Sequence, residues 1–229
     1  MERLTPIPDL FSNDGWRDVP IEPRDEPLVR VADIGRRVGE DPRYLAMGIS
    51  GALTECWVRE GVADRLGRAA DVLPDGMMLL VWDGFRPITI QRALYDGFLG
   101  ALRATHAAWD EGRLAAEAAR YVTPPSADPS TPPPHLTGGA VDLTLADADG
   151  RPLDLGTDFD AFVPEAGAHA LELFPSPARE NRRRLYWAMH DAGFTAYSEE
   201  WWHYDHGDQF WGLVYGRPAV YGPARPPDG

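Results

Sequence analysis

The chain contains no lysine: all 22 basic residues are arginines, set against 36 aspartates and glutamates for a net charge of −14. That balance disfavours binding to DNA, RNA or anionic lipid, whose phosphates need a basic surface. The missing lysine itself carries no function, because lysine and arginine replace each other at most solvated positions. There is a single cysteine, Cys56, so no internal disulfide can form, and near the start of a helical stretch it reads as a small buried hydrophobe. Long apolar runs are missing too. The longest, Met77 to Trp82, is far too short to span a bilayer, and the segment from Met1 to Pro6 has no apolar signal core. A cytoplasmic protein is expected. What remains is an ordinary globular composition, 44% apolar and 25% charged over 229 residues, enough for one substantial core.

In order, residues 1–30 hold five prolines among many acids and read as an irregular arm. Trp57, Val58, Val62, Leu66 and Ala70 follow helical spacing, and Asp75-Gly76 turns the chain into a buried strand, Met77 to Trp82. Asp83-Gly84-Phe85-Arg86-Pro87 ends that strand in a turn, and Pro87 fits the first position of a helix carrying Ile90, Leu94, Phe98 and Leu102. A second amphipathic helix covers Glu111 to Tyr121. Residues 123–134 are too rich in proline for a helix or inner strand and form a stiff loop that delivers His135. Ser176-Pro177 opens a further helix that Gly193 ends. A short strand, Phe194 to Tyr197, then leads into Trp201-Trp202-His203. The sum is one α+β domain spanning 1–229, with a small, mostly antiparallel sheet carrying a site on one face and helices on the other.

Two stretches carry the chemistry. From Gly139 to Leu145 the residues alternate, so Ala140, Asp142 and Thr144 share one strand face while Val141, Leu143 and Leu145 share the other. Asp142 therefore lies where a carboxylate needs a cation or several donors, since an unpaired buried charge costs several kcal/mol. His135 is close enough in sequence to serve the same cation. The second stretch, Glu199-Glu200-Trp201-Trp202-His203, adds another histidine with a carboxylate three residues before it. Two histidines and one carboxylate around an open position suit Zn²⁺, one per chain, and the fourth group suits a general base. On a regular strand Glu200 and His203 point to opposite faces, so either a bulge intervenes or Glu200 belongs to the preceding loop. His203 and Asp205 share a face, whereas His206 lies on the other and is a poor ligand candidate. His106, His169 and His190 fall where packing, capping or solvation accounts for them.

These motifs resemble the zinc D-alanyl-D-alanine dipeptidases of the vancomycin-resistance type, with their His-x-x-Gly-x-Ala-x-Asp followed by Glu-x-x-His. His135, Gly138, Ala140, Asp142, Glu200 and His203 fit that pattern, as does Asp83-Gly84-Phe85-Arg86-Pro87 where the family has Asp-Gly-Tyr-Arg-Pro. The resemblance also covers Cys56 to Pro87 and Asn181 to Phe194, in order and over about two thirds of the chain, and these four matched blocks are far more specific than a lone Glu-x-x-His. It implies that His135, Asp142 and His203 hold zinc, that Glu200 is the general base, that Arg86 stabilises the oxyanion, and that an aspartate in Gly156-Thr157-Asp158-Phe159-Asp160 binds the substrate's ammonium group, Asp160 being the matching candidate and Asp158 its neighbouring alternative, with loop capping the other reading of either. Pro133 replaces a serine usual in the family. The implied substrate is D-Ala-D-Ala or a related dipeptide. A D,D-carboxypeptidase acting on longer cell-wall peptides and a zinc-holding interaction module are the rival readings. A non-haem Fe(II) oxygenase is disfavoured, because its histidine and carboxylate stand one residue apart.

Overall fold

The computed structural model describes residues 4–226. A five-stranded sheet runs in the order β2-β4-β5-β7-β6, from β2 (Val38–Glu40), β4 (Met77–Asp83), β5 (Ala140–Asp147), β6 (Thr195–Ala196) and β7 (His203–Asp205). Only the β2–β4 pair is parallel. A separate antiparallel ribbon joins β1 (Leu28–Arg30) to β3 (Trp57–Arg59). The expected irregular arm thus ends in a strand. Trp57 and Val58, expected to be helical, belong to that ribbon too, and the helix α2 begins only at Glu60 (Glu60–Asp71). An aromatic followed by a β-branched residue pairs well across a ribbon, and its partner, thirty residues upstream, is invisible to a local periodicity.

The alternation along β5 holds. Val141, Leu143 and Leu145 are fully buried with Leu79 and Val81 of β4, beneath α2 and α5 (Pro177–Asp191), whose Val62, Leu66, Leu185 and Met189 complete the core. Ser176 caps α5 by accepting the Arg179 N–H at 3.1 Å. Helix α1 is a single turn (Arg43–Ala46). Helices α3 (Ile88–Thr105) and α4 (Glu111–Tyr121) form a hairpin that flanks the opposite, site-bearing side of the sheet. Pro87 is the cap of α3 rather than its first residue. Helix α6 (Gln209–Tyr215) follows β7 after Asp208, which accepts the Trp211 N–H. Among the described residues no helix is long and apolar enough to cross a membrane.

Candidate metal centre and active site

Three neighbouring strands line up the first groups. Asp142 of β5 is directly opposite His203 of β7, and on its other side it faces Asp83 of β4. Strict pairing from Val81–Leu143 would set Trp82 against Asp142, but a bulge between Val81 and Asp83 brings Asp83 onto the site face instead. His135 comes from a 3-10 turn, Pro134–Thr137, ended by Gly138 in the left-handed region at φ 72°. A side chain on Gly138 would be strained there and would run into Leu28 at 2.6 Å. Two hydrogen bonds fasten this turn to the 83–87 turn: Gly84 O accepts the Nδ1–H of the His135 ring at 2.8 Å, and the Arg86 backbone N–H donates to His135 O at 3.1 Å. Glu200 lies in the loop between β6 and β7, which resolves the strand-phase difficulty.

Both imidazoles have their outer N–H committed. His135 donates Nδ1–H to Gly84 O, and His203 donates Nε2–H to Asp205 Oδ1 at 3.0 Å. Their inner nitrogens therefore present lone pairs, 3.2 Å apart, and Asp142 sets one oxygen 2.9 Å from His203 Nδ1 and the other 3.4 Å from His135 Nε2. One ligand atom from each residue lies within 4.8 Å of the others, with all three groups buried. The two imidazole nitrogens and an Asp142 oxygen converge on one another, and that set of two nitrogens and one oxygen suits zinc. The electrostatics show the same demand for positive charge, since without a cation the site favours a proton on His203. Burial alone would lower the pKa of His203, yet Asp205 and Asp142 hold it well above its ordinary value. Burial alone would raise Asp142, yet His135 and His203 pull it far below the carboxylate range.

Arg86 is buried, and burial opposes its charge, but its surroundings hold it above the ordinary arginine value. Its guanidinium donates to Asp83 at 2.8 Å, Gln91 at 2.8 Å, Tyr44 at 3.2 Å and Asp142 at 3.2 Å. The ion pair with Asp83 that closes the turn is thus one of four contacts. Tyr44, itself buried, eases the ionisation of Asp160 in turn, so Tyr44 links Arg86 to Asp160. Burial and the nearby Asp142 charge push the Asp160 carboxyl up to about 7. Burial likewise raises Glu200 to about 8, with His203 acting against the rise. Asp160 is the one described residue besides glycine with a positive φ, 55°. Its loop is fastened by buried Arg182, which donates to the carbonyls of Leu155, Gly167 and Glu165 at 2.6, 2.7 and 2.8 Å.

His135, Asp142, His203, Glu200, Arg86 and Asp160 all line one open cavity of about 800 Å³ between the sheet, the α3–α4 hairpin and the segment 13–17. Glu199 is exposed at its rim. The other histidines stay out: His106 stacks on Trp109 at 3.9 Å, His169 and His190 are exposed, and His206 donates to Gly193 O among aromatic rings. Cys56 is buried and lies outside this cavity. Sequence reasoning missed Tyr44, Gln91, Asp205 and Asp208. Only Asp205 had a signal, since it shares a strand face with His203.

The Peptidase M15 family model, described as D-Ala-D-Ala dipeptidase, matches residues 27–220. The D-alanyl-D-alanine dipeptidase of Synechocystis sp. is 30% identical over 223 residues, covering 86% of this chain and 88% of that one. The D-alanyl-D-alanine dipeptidase of Enterococcus faecium is 35% identical over 136 residues, covering 56% of this chain and 62% of its own. Among solved structures, VanYB in complex with D-alanine-D-alanine matches with a TM-score of 0.45 at 19% identity, covering 73% of this chain and 83% of that one.

Proposed function

Because the chain belongs to the Peptidase M15 family of D-Ala-D-Ala dipeptidases, we propose that it is a zinc peptidase that hydrolyses D-Ala-D-Ala or a closely related dipeptide. The observation that carries this reading is the convergence of three acceptor atoms within 4.8 Å on a cavity that also holds Glu200, Arg86 and Asp160. His135, Asp142 and His203 would hold the metal, which when bound supplies Lewis acidity toward the scissile carbonyl and acidifies a water. Glu200, made basic by burial, takes the proton of the attacking water and returns it to the leaving amine. Arg86, fixed by four acceptors, offers its positive charge to the oxyanion of the tetrahedral intermediate. Asp160 receives the substrate's ammonium group and thereby places the first peptide bond at the metal. We read residues 1–229 as one metallopeptidase domain acting in the cytoplasm, where a lone buried thiol stays reduced.

A screen of D,D-, L,D- and L,L-dipeptides with zinc-loaded protein tests the reading, with D-Ala-D-Ala expected among the best substrates and no turnover after zinc removal. A second reading, D,D-carboxypeptidase on longer peptides, draws on the cavity: about 800 Å³ exceeds what two alanines fill, and it is open to solvent. Turnover of N-acetyl-D-Ala-D-Ala equal to that of the free dipeptide would remove the role of Asp160 and put this second reading first.

A further inference from the structure

Behind His203 lies a carboxylate pair that neither the motifs nor the proposed reaction uses. Asp205 is 0% exposed and lies two residues along β7, on the face of His203. Its Oδ1 accepts the Nε2–H of His203 at 3.0 Å, and its Oδ2 meets no protein donor of ordinary kind. Among the described residues His203 is the basic group paired with it. Asp208, 1% exposed, is buried nearby: burial and the Asp205 charge hold its carboxyl well above the ordinary value, and its Oδ1 accepts the Trp211 N–H at the start of α6. A carboxylate this deep, with one imidazole for a partner, requires a positive charge beyond that imidazole.

We propose that Asp205 is a positioning residue for the metal: it accepts the Nε2 proton of His203 and so locks the ring in the tautomer and orientation whose Nδ1 lone pair meets His135 and Asp142. Its charge also faces the cation through the ring, which raises the basicity of the inner nitrogen. The inference rests on the reading of His203 as a ligand.

The test uses the full chain with Asp205→Asn, Asp208→Asn and His203→Ala, reading zinc affinity by competition with a chromophoric chelator and the visible absorption of the cobalt(II)-loaded protein. Asp205→Asn is expected to bind zinc about 10–100-fold more weakly and to shift the cobalt spectrum. Asp208→Asn should stay within about threefold of the parent, since an amide caps α6 equally well and Asp208 does not touch the His203 ring. A merely structural Asp205 would lower the melting temperature and leave affinity and spectrum unmoved, and that result overturns the proposal, as does an equal loss of affinity in both variants. If Asp205→Asn does not fold, Asp205→Ser takes its place: weaker zinc binding with a shifted spectrum supports the proposal, and unmoved values overturn it. Undiminished zinc binding by His203→Ala overturns the ligand reading itself, which separates the two failures.

Discussion

The cavity has two halves built in different ways. His203, Asp142 and Asp83 are set by strand register, each fixed by the ladder that pairs its strand. Asp160 stands on a loop, at φ 55°, and reaches the rest through Tyr44 and through the grip of Arg182 on three carbonyls. A metal tolerates little displacement of its ligands, so a register-borne frame suits it, whereas an ammonium group accepts a carboxylate over a wider range of positions. If that division is real, damage to the sheet half removes metal and activity together, and damage to the loop half changes substrate binding alone.

The largest effects are expected at the three proposed metal ligands. His135→Ala, Asp142→Ala and His203→Ala should each abolish stoichiometric zinc, while His106→Ala, His169→Ala and His190→Ala retain about one equivalent per chain by metal analysis. A His206→Ala variant that lost zinc while His203→Ala kept it would break the register argument. Next comes Glu200→Gln, which keeps the side chain's size and removes the base. Zinc content should match the parent, and turnover should fall at least about a hundredfold. Undiminished turnover would remove Glu200 from the mechanism. Glu199→Gln, at the exposed rim, is the control and should change little.

A smaller effect is expected from Arg182→Met, which empties the loop of its three hydrogen bonds while keeping much of the apolar stem in place. Zinc content and kcat should hold, and KM for free dipeptides should rise about tenfold, since the lost group supports substrate binding and not the chemical step. A fall in zinc content would join the two halves that the comparison separates.

The same division decides how much could be read from the chain. Period-2 alternation placed Asp142 on its own face of β5, and the opposite row of Val141, Leu143 and Leu145 is the core seen in the fold. His203 could be phased against Asp205 and His206 in the same way. What alternation could not supply was pairing between distant segments: the β1–β3 ribbon that claims Trp57, the bulge that turns Asp83 toward Asp142, and the loop position of Glu200. Tyr44, from a one-turn helix with no motif, joins the site only because the β2–β4 pairing brings its segment alongside. Residue types in a spacing identify donors, and tertiary pairing decides which of them meet.

The smallest effect concerns the cost of holding Asp160 ready. Its carboxyl is raised from the ordinary 3.8 to about 7 by burial first and by the Asp142 charge second, with Arg86 and Tyr44 acting against the rise. A carboxyl whose folded pKa lies above its unfolded value binds its proton more tightly in the native state. The contribution of Asp160 to stability is therefore fully present below about pH 4, falls as pH rises between the unfolded and folded values, and levels off above about pH 7. Asp160→Asn removes the titration, and asparagine accepts a positive φ as readily as aspartate, so the backbone need not move. In metal-free protein the variant and parent should melt together at pH 4, and the variant should melt higher at pH 8 by a few degrees, about 2–4 °C for each kcal/mol in a chain of this size. The sign of that difference separates a carboxylate kept for substrate from one that holds the loop. A variant that melts lower than the parent at pH 8 would mean that the Asp160 charge stabilises the fold through Tyr44 and Arg86, and the loop half of the cavity would then be a structural network like the sheet half.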